Sequence, residues 1–339
     1  MPSGLFDVEI AGAGACLPDQ IATNEDLIAQ FPDFPMTAER IYRLLGARER
    51  RIAPPNLSCA DLMARAGQQA LDRAGIAPGE VDLIIACPNP PDALTPPSSA
   101  VVQHLIGGSP ECTAFDLNMA CTSSIAAMEI GCRFLETGHY RTVLITAGAI
   151  MSRLQAGWTN PMHRFIFGDG AGAVVLRRAT RGQQLALKTQ VAAEGGNPDA
   201  IFHPLPHSLK PPGVPEDWTG FYMQERDYFF DKMMTVGRRF VEGFWTDSGC
   251  RPEQFTHAVI HQPSRDLFLK SVEVVGIPLD RVYQNFATVG NIIAAELFVA
   301  LHDLGPHLRA GDRVFSWLYG AGFTLGALAY ELPAAPALP

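Results

Sequence analysis

The sequence predicts an α/β fold assembled from two copies of one unit, and two observations predict it. Short apolar runs of strand length alternate with helical patterns along the chain, as expected for sheets covered by helices. Three segments also recur in the same order at nearly one spacing. "GIAPGEVDLIIACPNP" from Gly75 returns as "GCRPEQFTHAVIHQPS" from Gly249, 174 residues later. "NMACTSSIAAMEI" matches "ATVGNIIAAELFV" loosely, Cys121 falling near Asn291 after 170 residues. "RTVLITAGA" matches "DRVFSWLYGAG", Arg141 to Arg313, after 172. Order and spacing together read as a duplicated α/β unit, with halves 1–178 and 179–339.

Strands are expected at 81–87, 112–117, 142–148, 172–176, 257–261 and 313–319, each an apolar run bounded by turn residues. Helices are expected at 58–74, 97–106, 122–136, 226–247, 264–275 and 291–303. The first has Ser58 as its cap and Gly75 at its end. Two glycine motifs carry no phosphate chemistry. "GAGACLP" at 12–18 lacks a third glycine and runs into Pro18 without opening a helix, so it is no dinucleotide loop. "FGDGAGAVVL" at 167–176 leads into a strand, and its glycines are expected to let backbones pack closely.

Apolar residues make up 47% of the 339 and charged residues 18%, enough for a large core and too apolar for disorder. A net charge of −9, with no basic run, excludes nucleic acid as the main partner. The seven cysteines form no CxxC and no HExxH is present, so neither a metal nor another cofactor is expected. "MPSGLFDVEIAGAG" does not read as a signal peptide. No apolar run reaches the roughly 20 residues of a membrane helix. The expected setting is the cytoplasm, with free thiols.

The stretch "AFDLNMACTSSIAAMEIG" (114–131) puts Cys121 at a strand-to-helix corner. A helix N-terminus favours thiolate, yet packing explains a lone cysteine equally well. The duplication bears on the choice. Cys121 and Asn291 fall at equivalent corners, and His261 ends the strand equivalent to 81–87, so three polar side chains from distant segments can meet at one site. Alone, His261 reads as a core histidine and Asn291 as a helix cap. His257 reads as structural, and His203 and His207, in "HPLPH", as plain loop residues, with a place lining a substrate entrance as the alternative.

"NMAC", "FGDGAGAVVL", "HQPS" (261–264), "VGN" (289–291), "GAGFTLGA" (320–327) and the earlier "GARERRIAPPN" (46–56) occur in an order that resembles thiolase-superfamily condensing enzymes. They look most like β-ketoacyl-ACP synthase III, over about residues 8–332. The resemblance implies a thiolase-like five-layered α-β-α-β-α fold, a homodimer, and acyl-CoA or acyl carrier protein thioesters as substrates. It also assigns roles. Cys121 takes the acyl group, and the backbone N–H groups of Cys121 and Ala321 hold the oxyanion. His261 and Asn291 donate to the enolate formed when a malonyl-like thioester loses CO₂.

The approaches to this triad depart from the family. Pro263 and Ser264 replace the end of "HQAN", and "GNTS" has become "GNII". Arg40 stands where a Trp stacks on the coenzyme A adenine. Asp266, Glu273 and Val274 stand where basic residues dock the carrier protein, although Arg265 and Lys270 remain. Arg40, Arg265, Ser264 and Phe229 are therefore candidate substrate contacts, Phe229 either as a wall of an acyl tunnel or simply as core. Decarboxylative Claisen condensation is the expected reaction. The alternatives are acyl transfer from Cys121 to an alcohol or amine, and condensation of two acyl thioesters without decarboxylation. An inactive partner subunit is disfavoured by the complete triad.

Overall fold

Apolar runs such as those at 83–87 and 314–319 form strands whose two faces are both buried. The computed structural model describes residues 8–31, 33–157, 161–179, 188–196, 200–203, 222–223 and 226–332. The first sheet holds β1 (Val8–Cys16), β2 (Leu83–Asn89), β3 (Thr113–Asp116), β4 (Thr142–Ile150) and β5 (Asp169–Arg178), in the order β1-β5-β4-β2-β3. On β2, Leu83, Ile85 and Cys87 enter one core cluster, while Ile84 and Ala86 enter another. The period of two is kept, but both sets are apolar because helices cover both faces.

The second sheet holds β6 (Lys188–Ala193), β7 (His257–Ile260), β8 (Arg313–Gly320) and β9 (Thr324–Glu331), in the order β7-β8-β9-β6. It repeats the first in strand direction. β5 is antiparallel to β1 and β4, and β4 and β3 are parallel to β2. Likewise β9 is antiparallel to β6 and β8, and β8 is parallel to β7. The counterpart of β3 has shrunk to a single parallel bridge between Ala258 and Val282. β2 and β7 begin at Leu83 and His257, the 174-residue spacing of the sequence repeat.

Helices α1 (Cys59–Ala74) and α2 (Ser98–Ile106) cover the outer face of the first sheet. α3 (Ser123–Glu136) and α6 (Ala295–Leu304) lie between the sheets, and α4 (Arg238–Ser248) and α5 (Arg265–Val275) cover the second sheet's outer face. The result is five layers, α-β-α-β-α. On β8, Val314 and Leu318 face the central helices, while Phe315, Trp317 and Tyr319 face the outer ones.

Local signals read in the sequence recur in the structure. Ser58 accepts from the Asp61 backbone in a capping box, and Gly75 ends α1 in the left-handed region at φ 65°. "GAGAC" is part of β1, and a Cβ at Gly14 would lie 2.1 Å from the Ala66 carbonyl oxygen of α1. The motif thus serves helix–strand packing. β1, β6 and β9 escaped the sequence reading because small residues dilute their apolar pattern. The helix expected at 226–247 runs as Arg226–Lys232, a wide turn at Met233–Gly237, and then α4. The helix expected from 291 begins only at Ala295. No helix among the described residues is long and apolar enough to cross a membrane.

Candidate active site

Polar side chains of "NMACTSS" build the corner that presents Cys121. Ala120 is held at φ 49°, a conformation unfavourable to a residue with a Cβ. Ser123 Oγ accepts from the Met119 backbone N–H at 2.7 Å and donates to the Ala120 carbonyl at 2.7 Å. Thr122 Oγ1 donates to the Met119 carbonyl at 2.6 Å, and Thr324 Oγ1 reaches the same oxygen from the second sheet at 3.2 Å. Cys121 therefore sits just ahead of α3, where the helix dipole favours negative charge. The Gly320–Ala321–Gly322 turn passes beside it: a Cβ at Gly320 would lie 2.8 Å from the Cys121 nitrogen.

Asn291 comes from a chain crossing that needs glycine. A Cβ at Gly168 would meet the Val289 carbonyl oxygen at 2.0 Å. The Gly168 N–H donates to the Asn291 carbonyl, and the Asn291 N–H donates to the Ile166 carbonyl. Asn291 Oδ1 accepts from the Ile293 N–H at 2.8 Å. This bond holds Ile293 at φ 56° and delays the start of α6. With Oδ1 committed to the backbone, the amide NH₂ is the end left to donate.

His261 follows β7 and is 2% exposed; Glu296, in the first turn of α6, is 3% exposed. His261 Nδ1 lies 2.6 Å from Glu296 Oε2. Glu296 Oε1 accepts from both the backbone N–H and the side-chain amide of Gln262, at 3.0 and 3.1 Å. Gln262 Oε1 accepts from the Asn285 and Phe286 N–H groups. With Nδ1 taken, Nε2 is the ring atom left for the hydrogen bond to Cys121. Burial opposes charge on the ring, but the Glu296 carboxylate and the Cys121 sulfur together raise its pKa well above the ordinary imidazole value. The Tyr319 ring packs edge-on at 5.2 Å.

Cys121, His261 and Asn291 line one mainly apolar cavity of about 1250 Å³, together with Ala321, Ser264 and Phe229. Phe229 also packs against Phe323. Arg40, on the Ala38–Leu45 helix, and Arg265, at the start of α5, are exposed and lie outside the lining. Their two helices pack together, so the arginines occupy adjoining elements. His203 lines the cavity, in keeping with the entrance alternative rather than the plain loop, and His207 lies outside the described residues. His257 pairs with Thr256 Oγ1 at 3.0 Å, away from the cavity.

Three residues escaped the sequence reading. His163 lines the cavity, with burial pushing its pKa down to about 4. Glu296 stands as a single charge inside the apolar run "IIAAELFVAL", a pattern that signals a paired buried carboxylate. Gln262, beside His261, had no local signal of its own.

The comparisons bear on the family and the fold. The family model described as 3-oxoacyl-[acyl-carrier-protein (ACP)] synthase III matches residues 115–195, and its C-terminal model matches 246–332. A β-ketoacyl-[acyl-carrier-protein] synthase III from Clostridium acetobutylicum is 30% identical over 95% of this chain and 97% of its own. The solved synthase III from Thermus thermophilus superposes with a TM-score of 0.85 at 27% identity, covering 96% and 99% of the two chains. OleA from Xanthomonas campestris shares the fold, with a TM-score of 0.84 at 22% identity over 98% and 100%. The chain belongs to the β-ketoacyl-[acyl-carrier-protein] synthase III family of thiolase-fold, acyl-transferring condensing enzymes.

Proposed function

We propose that the chain makes a β-ketoacyl thioester by decarboxylative Claisen condensation, in two half-reactions joined by an acyl group on Cys121. In the first, the Cys121 proton rests on His261 Nε2, which holds it as imidazolium, and the thiolate attacks the thioester carbonyl. A C–S bond to the enzyme forms, the donor's C–S bond breaks, and the departing thiolate takes the proton. The backbone N–H groups of Cys121 and Ala321 hold the oxyanion. In the second, a malonyl thioester loses CO₂ and the freed electron pair becomes an enolate. His261 and Asn291 donate to its oxygen. The enolate carbon attacks the acyl carbonyl, and the Cys121 thiolate leaves.

The observation that carries this reading is the orientation of Asn291. Its oxygen is spent on Ile293 N–H, so a donor faces the cavity shared with His261 and Cys121. Transfer to an alcohol needs a base but no such donor. That second reading draws on Glu296, whose carboxylate equips His261 to take an acceptor's proton. Acyl-CoA is the favoured donor over a carrier protein, because Glu273 pairs with Lys270 at 2.6 Å and offsets the basic charge of α5. Arg40 and Arg265, exposed on adjoining helices, are the proposed partners of its phosphates. A homodimer is part of the reading, β3 being an edge strand with β2 as its one neighbour among the described residues. The free state of all seven cysteines fits a reducing cytoplasm.

Intact-protein mass spectrometry with a panel of acyl-CoAs, followed by malonyl-CoA and measurement of CO₂ release, tests the proposal. An acyl mass on Cys121 that is discharged with stoichiometric CO₂ is expected. Discharge to alcohols or amines without CO₂ would replace the condensing reading with the acyltransferase one.

A further inference from the structure

We propose that Glu296 is a positioning residue that sets the proton on His261, leaving Nε2 free to take the Cys121 thiol proton. The inference rests on Cys121 carrying the acyl group. The two carboxylate oxygens have separate, fixed tasks. Oε2 faces His261 Nδ1 at 2.6 Å, and Oε1 receives two donors from Gln262, one of them a backbone N–H that cannot turn away. Gln262 is itself anchored, donating to the Tyr283 carbonyl at 3.2 Å and accepting from Asn285 and Phe286 N–H. Both members of the His261–Glu296 pair are nearly sealed from water. In such a site an acceptor at Nδ1 keeps a hydrogen on that nitrogen, and the lone pair of the neutral ring then falls on Nε2. Glu296 also sits in the first turn of α6, where the helix dipole supports a carboxylate.

This geometry gives Glu296→Gln an unusual consequence. The amide has one acceptor and one donor end. Its NH₂ cannot face Gln262, because two donors already point there. It must face His261, so Nδ1 becomes the acceptor and the ring hydrogen moves to Nε2. That ring can still donate to an enolate, but it cannot accept a thiol proton. Glu296→Gln is thus expected to damage the first half-reaction and spare the second.

Among the described residues, few titratable groups face the pair. Cys121 and Tyr319 approach His261. Tyr283, hydrogen-bonded to Asp303, lies on the Glu296 side. Burial raises both phenols well above their ordinary range, so neither substitutes for the carboxylate near neutral pH.

The test measures each half-reaction separately in wild type and Glu296→Gln, with melting temperature as a control for folding. Acyl loading is followed by mass spectrometry against acyl-CoA concentration. CO₂ release is followed after slow loading to completion, removal of the donor and addition of malonyl-CoA. The expected result is a loss of about 100-fold or more in the maximal loading rate, little change in the half-saturating donor concentration, and decarboxylation within severalfold of wild type. Equal losses in both half-reactions would assign Glu296 a purely structural role. Unchanged loading would also overturn the proposal. If wild type shows no acyl mass on Cys121, both this inference and the functional reading fall.

Discussion

The His261 ring and the Glu296 carboxylate meet at 2.6 Å, in a place where neither side chain is more than 3% exposed. Removing two charges from water is costly, and a close, well-bonded partner repays it. Glu296 has that partner in His261 and two further donors from Gln262.

The pair makes stability depend on alkaline pH. Burial disfavours charge on His261, but Glu296 and Cys121 raise its pKa to about 10. A raised imidazole contributes fully below its unfolded value, near 6.5, and loses that contribution as pH climbs through the folded value. Thermal melts between pH 6.5 and 10 are expected to fall more steeply for wild type than for Glu296→Gln. Parallel curves would mean that the ring is neutral in the folded protein.

Cys121 is expected to react with iodoacetamide before any other cysteine. Burial drives the Cys59, Cys87 and Cys132 thiols far above the ordinary range, pushes Cys112 up to about 11 and raises Cys16 as well. Thiols so shifted hold almost no thiolate at neutral pH. Cys121→Ala is expected to abolish self-acylation and leave the melting temperature near wild type. Peptide mapping decides it, and first labelling at Cys16 or Cys250 would contradict the assignment.

Asn291→Ala is expected to slow decarboxylation by roughly 100- to 1000-fold, as loss of an oxyanion donor does, while acyl loading persists. It therefore mirrors Glu296→Gln. A stability loss of about 1 kcal/mol accompanies it, because the Ile293 N–H loses its acceptor. Normal condensation by this variant would remove the basis for the carbon–carbon reading.

Gly168→Ala is expected to damage the site without touching a catalytic side chain. The added methyl would lie 2.0 Å from the Val289 carbonyl oxygen and push apart the crossing that holds Asn291. A cost of about 1–3 kcal/mol or more and a fall in decarboxylation follow. Gly243→Ala is the control: nothing lies within 4 Å of the new methyl on α4, and a gain of about 1 kcal/mol is expected. Urea unfolding of the two variants checks both signs.

The layers, the repeat and the three polar side chains that meet in the cavity were legible in the sequence. Runs such as "LIIAC" (83–87) and "VFSWLY" (314–319) carry apolar residues on both faces because both faces of each strand are covered, and that demand is written locally. The α1 boundaries were equally legible, because Ser58 and Gly75 act on their own turn. Tertiary structure alone decided what surrounds the triad. Glu296 meets His261 across 35 residues of chain, and the late start of α6 depends on Asn291 capturing the Ile293 N–H. The cavity brings together walls from segments as distant as Leu45 and Thr324. Periodicity records which face of an element is buried. It does not record which buried groups touch, and the position of a proton on an imidazole depends on those through-space contacts.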